Sequence, residues 1–372
     1  MKQYDYIVVG TGFFGAVFAQ QAAEAGKSVL ILEKRNHIGG NCYTKNHEGT
    51  NINVHVYGTH IFHTNNEEIW AYITRFTSFN RYQHRVLTTH RNRVYPMPIC
   101  LGTINQFYGL NLRPGEVEAF IAAKREKIHD PQNLEEKAIS LVGRELYEAF
   151  IKGYTMKQWG TDPRRLPASI ITRLPVRSSW NDAYFDDKYQ GIPVEGYTPI
   201  FDRMLKDIPV EYGVDFLADR EHWRSRAGTV VYTGPIDEYF GYAHGRLQWR
   251  SVRLETELLD EEDFQGTSVM NYADSDVPFT RIHEVKHLHL EKKHTPGKTV
   301  VMREYSLIDN NHPYYPVNGE EDRALLAKYN ELAAGENGVI FGGRLAEYKY
   351  YDMHQAIGSG LQKARKSLLA AK

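Results

Sequence analysis

Cysteine is close to absent from this chain: its 372 residues include two, Cys42 and Cys100. Two thiols make no disulfide framework, and free packing cysteines in a reducing compartment are expected. An excess of either charge is also missing, with Lys+Arg 45 against Asp+Glu 46 and a formal net charge of −1. A binder of nucleic acid or anionic membrane that works through a diffuse basic field is thereby excluded, although focused clusters are not. No uninterrupted apolar run approaches the roughly 20 residues of a membrane span. Apolar residues begin at Tyr4, which leaves no basic leader with a cleavage site, so a cytoplasmic location is expected. Neither a nucleophile elbow nor a P-loop occurs, which weighs against hydrolases and kinases. Tyrosine, by contrast, is abundant, with 25 residues beside 16 Phe and 16 His. A buried phenol packs its ring and still seeks a partner for its hydroxyl, so a ligand site or many half-wet interfaces are expected.

The chain is long enough for two or three domains, and no internal repeat interrupts it. Residues 4–9 form an apolar, β-branched run, 10–15 a glycine loop, 14–25 a helix-compatible stretch stopped by Gly26, and 28–33 a second buried strand. This is a βαβ opening with parallel strands. Residues 115–128 and 133–151 read as helices separated by Asp130-Pro131. From 249 to 305 the pattern alternates, with repeated Val, Thr, Tyr and His, which predicts antiparallel strands. Strand signals at 229–233 and 339–341, the latter followed by a helix over 352–370, bring the α/β texture back. The expected fold class is α/β: one discontinuous Rossmann-like domain with a helical insertion and an antiparallel β-sheet domain.

Gly10-Thr11-Gly12-Phe13-Phe14-Gly15 fits G-x-G-x-x-G between a strand and a helix. The first glycine turns the chain, the second admits a pyrophosphate to the backbone, and the third lets helix and strand pack closely. The helix N-terminus offers free N–H groups to the phosphates, and Glu33 stands where an acid accepts from ribose hydroxyls. A glycine-rich turn beside a surface Glu is the plainer alternative. After Glu33 come Lys34, Arg35 and Gly39-Gly40-Asn41, a spacing that resembles FAD proteins of the glutathione-reductase and amine-oxidase type. Gly342-Gly343-Arg344, followed by Asp352 and a helix, looks like their second flavin-contacting element; a helix N-terminus there could support negative charge on a reduced ring. A plain NAD dehydrogenase needs neither, so FAD is favoured.

Further segments could sit over a flavin. Residues 57–63 place His60 and His63 around Ile61 and after a glycine, although a histidine pair also serves as hydrogen-bonded core. Residues 152–160 place Tyr154 and Trp159 five apart in a glycine-bounded stretch suited to a nucleobase or sugar, with ordinary packing as the alternative. Arg173 and Arg281 are guanidinium forks that match a diphosphate, although for each alone a surface ion pair is the better reading. Tyr315 and Tyr350 are ligand candidates, whereas Tyr348 and Tyr351 read as buttresses of the fold. His287, His289 and His294 lack a ligand set of recognisable spacing; a solvated strand is the better reading, and no metal is expected.

Together, residues 10–15, 33–41, 60–63, 152–160, 173–177, 278–281, 313–316 and 343–353, with Tyr184 and Asn271, closely resemble the bacterial UDP-galactopyranose mutase family. The resemblance spans nearly the whole chain. It implies an FAD-binding domain from 1–78, 194–243 and 319–372, a helical domain over 102–168, and a sheet domain from 79–101, 169–193 and 244–318 with a mobile lid near 165–180. It also implies the reaction, UDP-galactopyranose to UDP-galactofuranose and back, in which N5 of reduced FAD attacks the anomeric carbon without net oxidation. Implied catalytic residues are Arg173, Arg281 and His63. The substrate residues would be His84, Phe150, Tyr154, Thr155, Trp159, Tyr184, Asn271, Tyr315 and Tyr350. The cofactor residues would be Gly10, Gly12, Phe13, Phe14, Gly15, Glu33, Lys34, Arg35, Gly40, Asn41, His60, Ile61, Arg344, Tyr351, Asp352 and Met353. A reductant such as NAD(P)H, a homo-oligomer and a place in cell-surface glycan biosynthesis are further implications.

One departure stands out: His84 occupies a position in Tyr82-Gln83-His84-Arg85-Val86 where the family pattern has Asn. An imidazole titrates near neutrality, so sugar contact through His84 is expected to make binding pH-dependent. Two rivals remain open, an FAD oxidoreductase of amine-oxidase type and a non-catalytic, flavin-bound UDP-sugar sensor.

Overall fold

The computed structural model describes residues 3–173, 176–309 and 312–370, with the backbone alone at 172 and 173. Five parallel strands form one sheet in the order Val339–Phe341, Ala227–Tyr232, Tyr4–Val9, Val29–Glu33 and Val210–Tyr212. Its central strands are buried on both faces, as their unbroken apolar runs require. Helix Phe13–Glu24 covers one face and packs along the C-terminal helix Met353–Ala370. The Rossmann-like expectation therefore holds, and the strands share one direction because each crossover returns through a covering element.

The glycine loop makes this packing possible. Gly10 has φ +101°, a left-handed conformation that suits glycine, and a Cβ on Gly15 would lie 2.1 Å from the Gly10 carbonyl oxygen. Helix and loop therefore touch backbone to backbone, and the helix N-terminus is held directly above the end of strand Tyr4–Val9.

The second sheet has seven strands, ordered Tyr315–Pro316, Trp249–Leu259, Thr299–Ile308, Arg281–Glu284, Val269–Tyr272, Val86–His90 and Arg93–Met97. It is antiparallel except where Val269–Tyr272 runs parallel to Val86–His90. The helical insertion packs its own apolar core around Leu101, Ile104, Ile121, Leu134, Ile139, Leu146, Tyr147 and Phe150.

Some expected boundaries differ. The helix foreseen over 133–151 ends at Val142, where Gly143 takes φ +84°, and a second helical run then continues from Arg144 through a π-helical turn, Tyr147–Lys152, to Trp159. Apolar periodicity continues across the glycine, which is why sequence pattern alone runs the two together. The histidine-rich stretch is not a solvated strand: Val285–Leu288 is a 3₁₀ turn and His289 is buried. Both cysteines are free and buried. Among the described residues no helix is long and apolar enough to cross a membrane.

Gly15→Ala should lower stability by about 1–3 kcal/mol, because a methyl group against a fixed carbonyl forces the helix off the sheet. Urea unfolding monitored by circular dichroism measures this; an unchanged midpoint would mean that the loop yields without cost.

Candidate active site

Two cavities adjoin where the parallel sheet meets the seven-stranded sheet. The larger, about 850 Å³, runs from Glu33, Lys34 and Arg35 past the glycine loop to Arg344, Tyr351, Asp352 and Met353. The smaller, about 250 Å³, is walled by the second sheet and the helical insertion. Tyr57, His60, Arg344, Asp352 and Met353 line both, so a ligand filling the first presents one end to the second.

In the larger cavity, buried Glu33 ends its strand and braces the loop. One carboxylate oxygen accepts from the Thr11 N–H at 2.9 Å and its hydroxyl at 2.5 Å, while the other accepts from the Arg35 N–H at 2.9 Å. Lys34 is tied 2.8 Å from Asp215 at the cavity rim. Arg35 donates to Asn41 at 2.9 Å, its guanidinium lies 4.2 Å over the Tyr57 ring, and its Nη1 is buried with no hydrogen-bond partner among the described residues. The Gly12 backbone lies open on this cavity, and a Cβ on Gly40 would come 3.2 Å from Gly12 Cα. An orphaned donor, exposed loop amides at a helix N-terminus and an extended cavity fit an anionic dinucleotide. Gly10, Phe13, Phe14 and Gly15 line the same space, and Met353 begins an 18-residue helix at the junction.

The smaller cavity owes its polar row to strand register. Thr88, Asn271, Arg281 and Glu304 stand opposite one another on four neighbouring strands. Arg281 Nε is 3.1 Å from Glu304, which also meets His283 at 3.2 Å and the Thr280 hydroxyl at 3.0 Å. Burial works against both charges, but each sustains the other: Arg281 is raised above its usual range, and Glu304 is lowered to about 2. Arg281 also donates to the Tyr154 hydroxyl. Burial pushes the Tyr154 phenol up to about 12 and raises Tyr315 and Tyr350, so all three remain O–H donors. Tyr315 and Tyr350 stack with centroids 5.4 Å apart beneath the Arg344 guanidinium. A cation held by its carboxylate partner and flanked by neutral O–H donors suits a polyanion.

Phe150, Thr155, Tyr184 and His84 complete this wall, with Ile61 and His63 toward the junction. The π-helical turn that carries Phe150 leads into helix Gly153–Trp159, pinned by Lys157, whose ammonium donates to the carbonyls of Tyr272, Asp274, Val277 and Phe279 at 2.7–3.1 Å. Trp159, expected beside the sugar, lines neither cavity. As the last residue of that helix it lies a turn beyond Thr155 and packs against the helical core. The side chain of Arg173 lies outside the described residues. Tyr348 is a buttress as expected, buried with its hydroxyl on the Gln248 carbonyl at 2.5 Å.

His84 corrects one expectation. Its Nδ1 is 3.0 Å from the Tyr82 hydroxyl, and burial, with Arg281 nearby, pushes its pKa down to about 3. The imidazole is neutral throughout the physiological range and is no pH switch. His60 is likewise lowered to about 4 by burial and by Arg344. Thr11, Tyr57 and Glu304 were missed in the sequence. Glu304 had one available signal, a carboxylate two positions after the apolar run Val300-Val301-Met302. Among the described residues two clusters bring three ligand-type atoms within 4.8 Å, His63/Asp352/His354 and Asp263/Glu284/His287, and neither joins His287 to His289 and His294.

Folding lowers the Glu304 carboxyl from 4.5 to about 2, so its contribution is complete above pH 4.5 and is lost as pH falls toward 2. Glu304→Gln should cost roughly 3 kcal/mol at neutral pH and flatten the acid limb of unfolding free energy against pH. An acid limb as steep as the wild type's would refute that assignment. His84→Asn should leave the shape of any pH profile between 5 and 9 unaltered, which ligand titration across that range checks.

A family model described as UDP-galactopyranose mutase matches residues 149–350, and an NAD(P)-binding Rossmann-like domain matches residues 8–76. The chain is 42% identical over 369 residues to a probable UDP-galactopyranose mutase of Klebsiella pneumoniae, covering 98% of this chain and 94% of that one. It is 39% identical over 367 residues to a dTDP-fucopyranose mutase of Escherichia coli, with 96% and 97% covered. A crystal structure of reduced UDP-galactopyranose mutase superposes with a TM-score of 0.72 at 13% identity, over 99% of this chain and 96% of the other. With the Rossmann loop, the second sheet and the anion-receptor cavity assembled on one chain, these matches make it a member of the UDP-galactopyranose mutase family and an isomerase.

Proposed function

We propose that this mutase interconverts UDP-galactopyranose and UDP-galactofuranose with FAD in the larger cavity, in the cytoplasm, after reduction by a two-electron donor such as NAD(P)H. The observation that carries the reading is the half-buried Arg281, bonded to Tyr154 and sharing with Tyr315 and Tyr350 a cavity that opens onto the dinucleotide cavity through Arg344, Asp352 and Met353. The glycine loop would hold the pyrophosphate, Glu33 the ribose, and residues 343–353 the flavin end, with His60 and His63 beside it. When bound and reduced, FAD supplies a nucleophilic nitrogen for the anomeric carbon and is regenerated unchanged.

The chain's own residues then have a defined task. Arg281, with Arg173 from the neighbouring segment and hydroxyls of Tyr184, Tyr315 and Tyr350, keeps the departing diphosphate anionic and close, because it must return to the same carbon. Tyr154 and Phe150 offer ring faces to the base, with Asn271 and Thr155 alongside, and His84 faces the sugar as a neutral hydrogen-bonding group. A dTDP-6-deoxysugar is the second reading, favoured by the near-equal similarity to the dTDP-fucopyranose mutase.

Incubating dithionite-reduced protein with UDP-galactofuranose should yield UDP-galactopyranose without stoichiometric consumption of an electron acceptor. Sustained acceptor consumption per sugar converted would identify an oxidoreductase, and no interconversion a sensor. The same assay with dTDP-fucopyranose ranks the two substrates by kcat/KM. Arg281→Ala should lower turnover by at least about a hundredfold while the protein stays yellow; loss of flavin colour would instead place Arg281 at the cofactor.

A further inference from the structure

The segment 183–188 runs between the cofactor junction and the second sheet, and its side chains divide cleanly. Phe185 stacks on His63 with centroids 3.8 Å apart and planes inclined by 11°. Asp187, two residues on, places a carboxylate oxygen 2.8 Å from His63 Nδ1. Asp186, between them, turns the other way to Arg177 at 2.8 Å. The backbone on both sides is tied down: Tyr184 N–H donates to the His84 carbonyl at 2.8 Å, and Lys188 N–H donates to Asn65 at 2.8 Å. Gln190 then pairs with His63 itself in the short ladder Phe62–Thr64 to Tyr189–Gly191. One stretch of chain thus clamps the face of the His63 ring and anchors its edge, while His354 closes the other side at 4.9 Å, edge to face.

We propose that Asp187 is a positioning residue for the isomerisation, fixing His63 as the Nδ1–H tautomer so that an unprotonated Nε2 is available at the junction of the two cavities. A carboxylate accepts and does not donate, so the proton of the neutral ring sits on Nδ1 and the lone pair is left on Nε2. His63 lines the smaller cavity together with Asp352 and Met353, which also line the larger one. An imidazole locked this way accepts a hydrogen bond from a cofactor N–H or a sugar hydroxyl; the opposite tautomer would offer a donor there instead. Phe185 also faces His84, centroids 5.8 Å apart and planes inclined by 29°, so the same ring spaces the junction histidine from the sugar-side histidine. The proposal rests on the reading that the larger cavity holds the flavin.

Asp187→Asn keeps the shape of the side chain but can present either a donor or an acceptor to Nδ1. In flavin-loaded protein labelled with ¹⁵N-histidine, with His63 assigned by comparison with His63→Gln, the wild type should show a protonated Nδ1 and an unprotonated Nε2. Asp187→Asn should move His63 toward the Nε2–H form and lower kcat by about tenfold or more, with KM for the nucleotide sugar unchanged. Asp187→Glu, which restores the carboxylate, should recover the Nδ1–H form and much of kcat. The same His63 tautomer in Asp187→Asn as in the wild type overturns the proposal, as does a wild-type kcat in that variant. A kcat loss that adds in full to that of His63→Gln in the double variant also overturns it, because Asp187 would then act elsewhere. The tautomer is read without turnover, so failure to convert either nucleotide sugar would refute the functional reading separately.

Discussion

The ion pair of half-buried Arg281 with buried Glu304 is the constraint around which the site is organised. Two charges taken out of water are costly, and the cost is met only where geometry is tight and the remaining polar atoms find partners. Here the partners are His283, Thr280 and Tyr154, supplied by adjacent strands and by the helix that Lys157 pins across the loop 272–279. Removing any one of these leaves a polar atom of the pair without that hydrogen bond, so the strand register and the helix position are held by the same electrostatic requirement. The pair leaves an arginine whose charge survives burial, facing a cavity lined with hydroxyl groups.

Charge and tyrosine content acquire a physical sense from this. A net charge near zero is compatible with anion binding when single cations are partly desolvated and flanked by neutral donors, because the interaction gains strength as the local dielectric falls. The phenols suit this role: burial raises their pKa values, so each remains a donor and none adds a competing negative charge. Neutral His60 and His84 follow the same rule in reverse, since burial beside Arg344 and Arg281 suppresses their protonation.

The Rossmann half of the molecule works through backbone proximity instead. Glu33, at the end of its strand, bonds the loop that precedes the helix, so the glycine turn and the acid form one braced unit. That unit ends beside Met353 and Arg344, which belong equally to the second cavity. Two cavities built on different sheets thereby share a boundary.

By itself the sequence determined the parallel Rossmann core and the glycine loop, and through the family resemblance it named a part of the residues that line the two cavities. Those features rest on local pattern: apolar runs, glycine spacing, and motifs whose residues lie within a few positions of one another. Tertiary structure alone decided what depends on register and burial. Glu304 meets Arg281 only because two strands pair in one register, and Asp187 meets His63 only because a segment far along the chain folds back over it. The helix over 133–151 breaks at Gly143, Trp159 turns to the helical core, and His84 loses its titration to desolvation. Each of these outcomes depends on neighbours brought from elsewhere in the chain, and a local sequence pattern does not contain them.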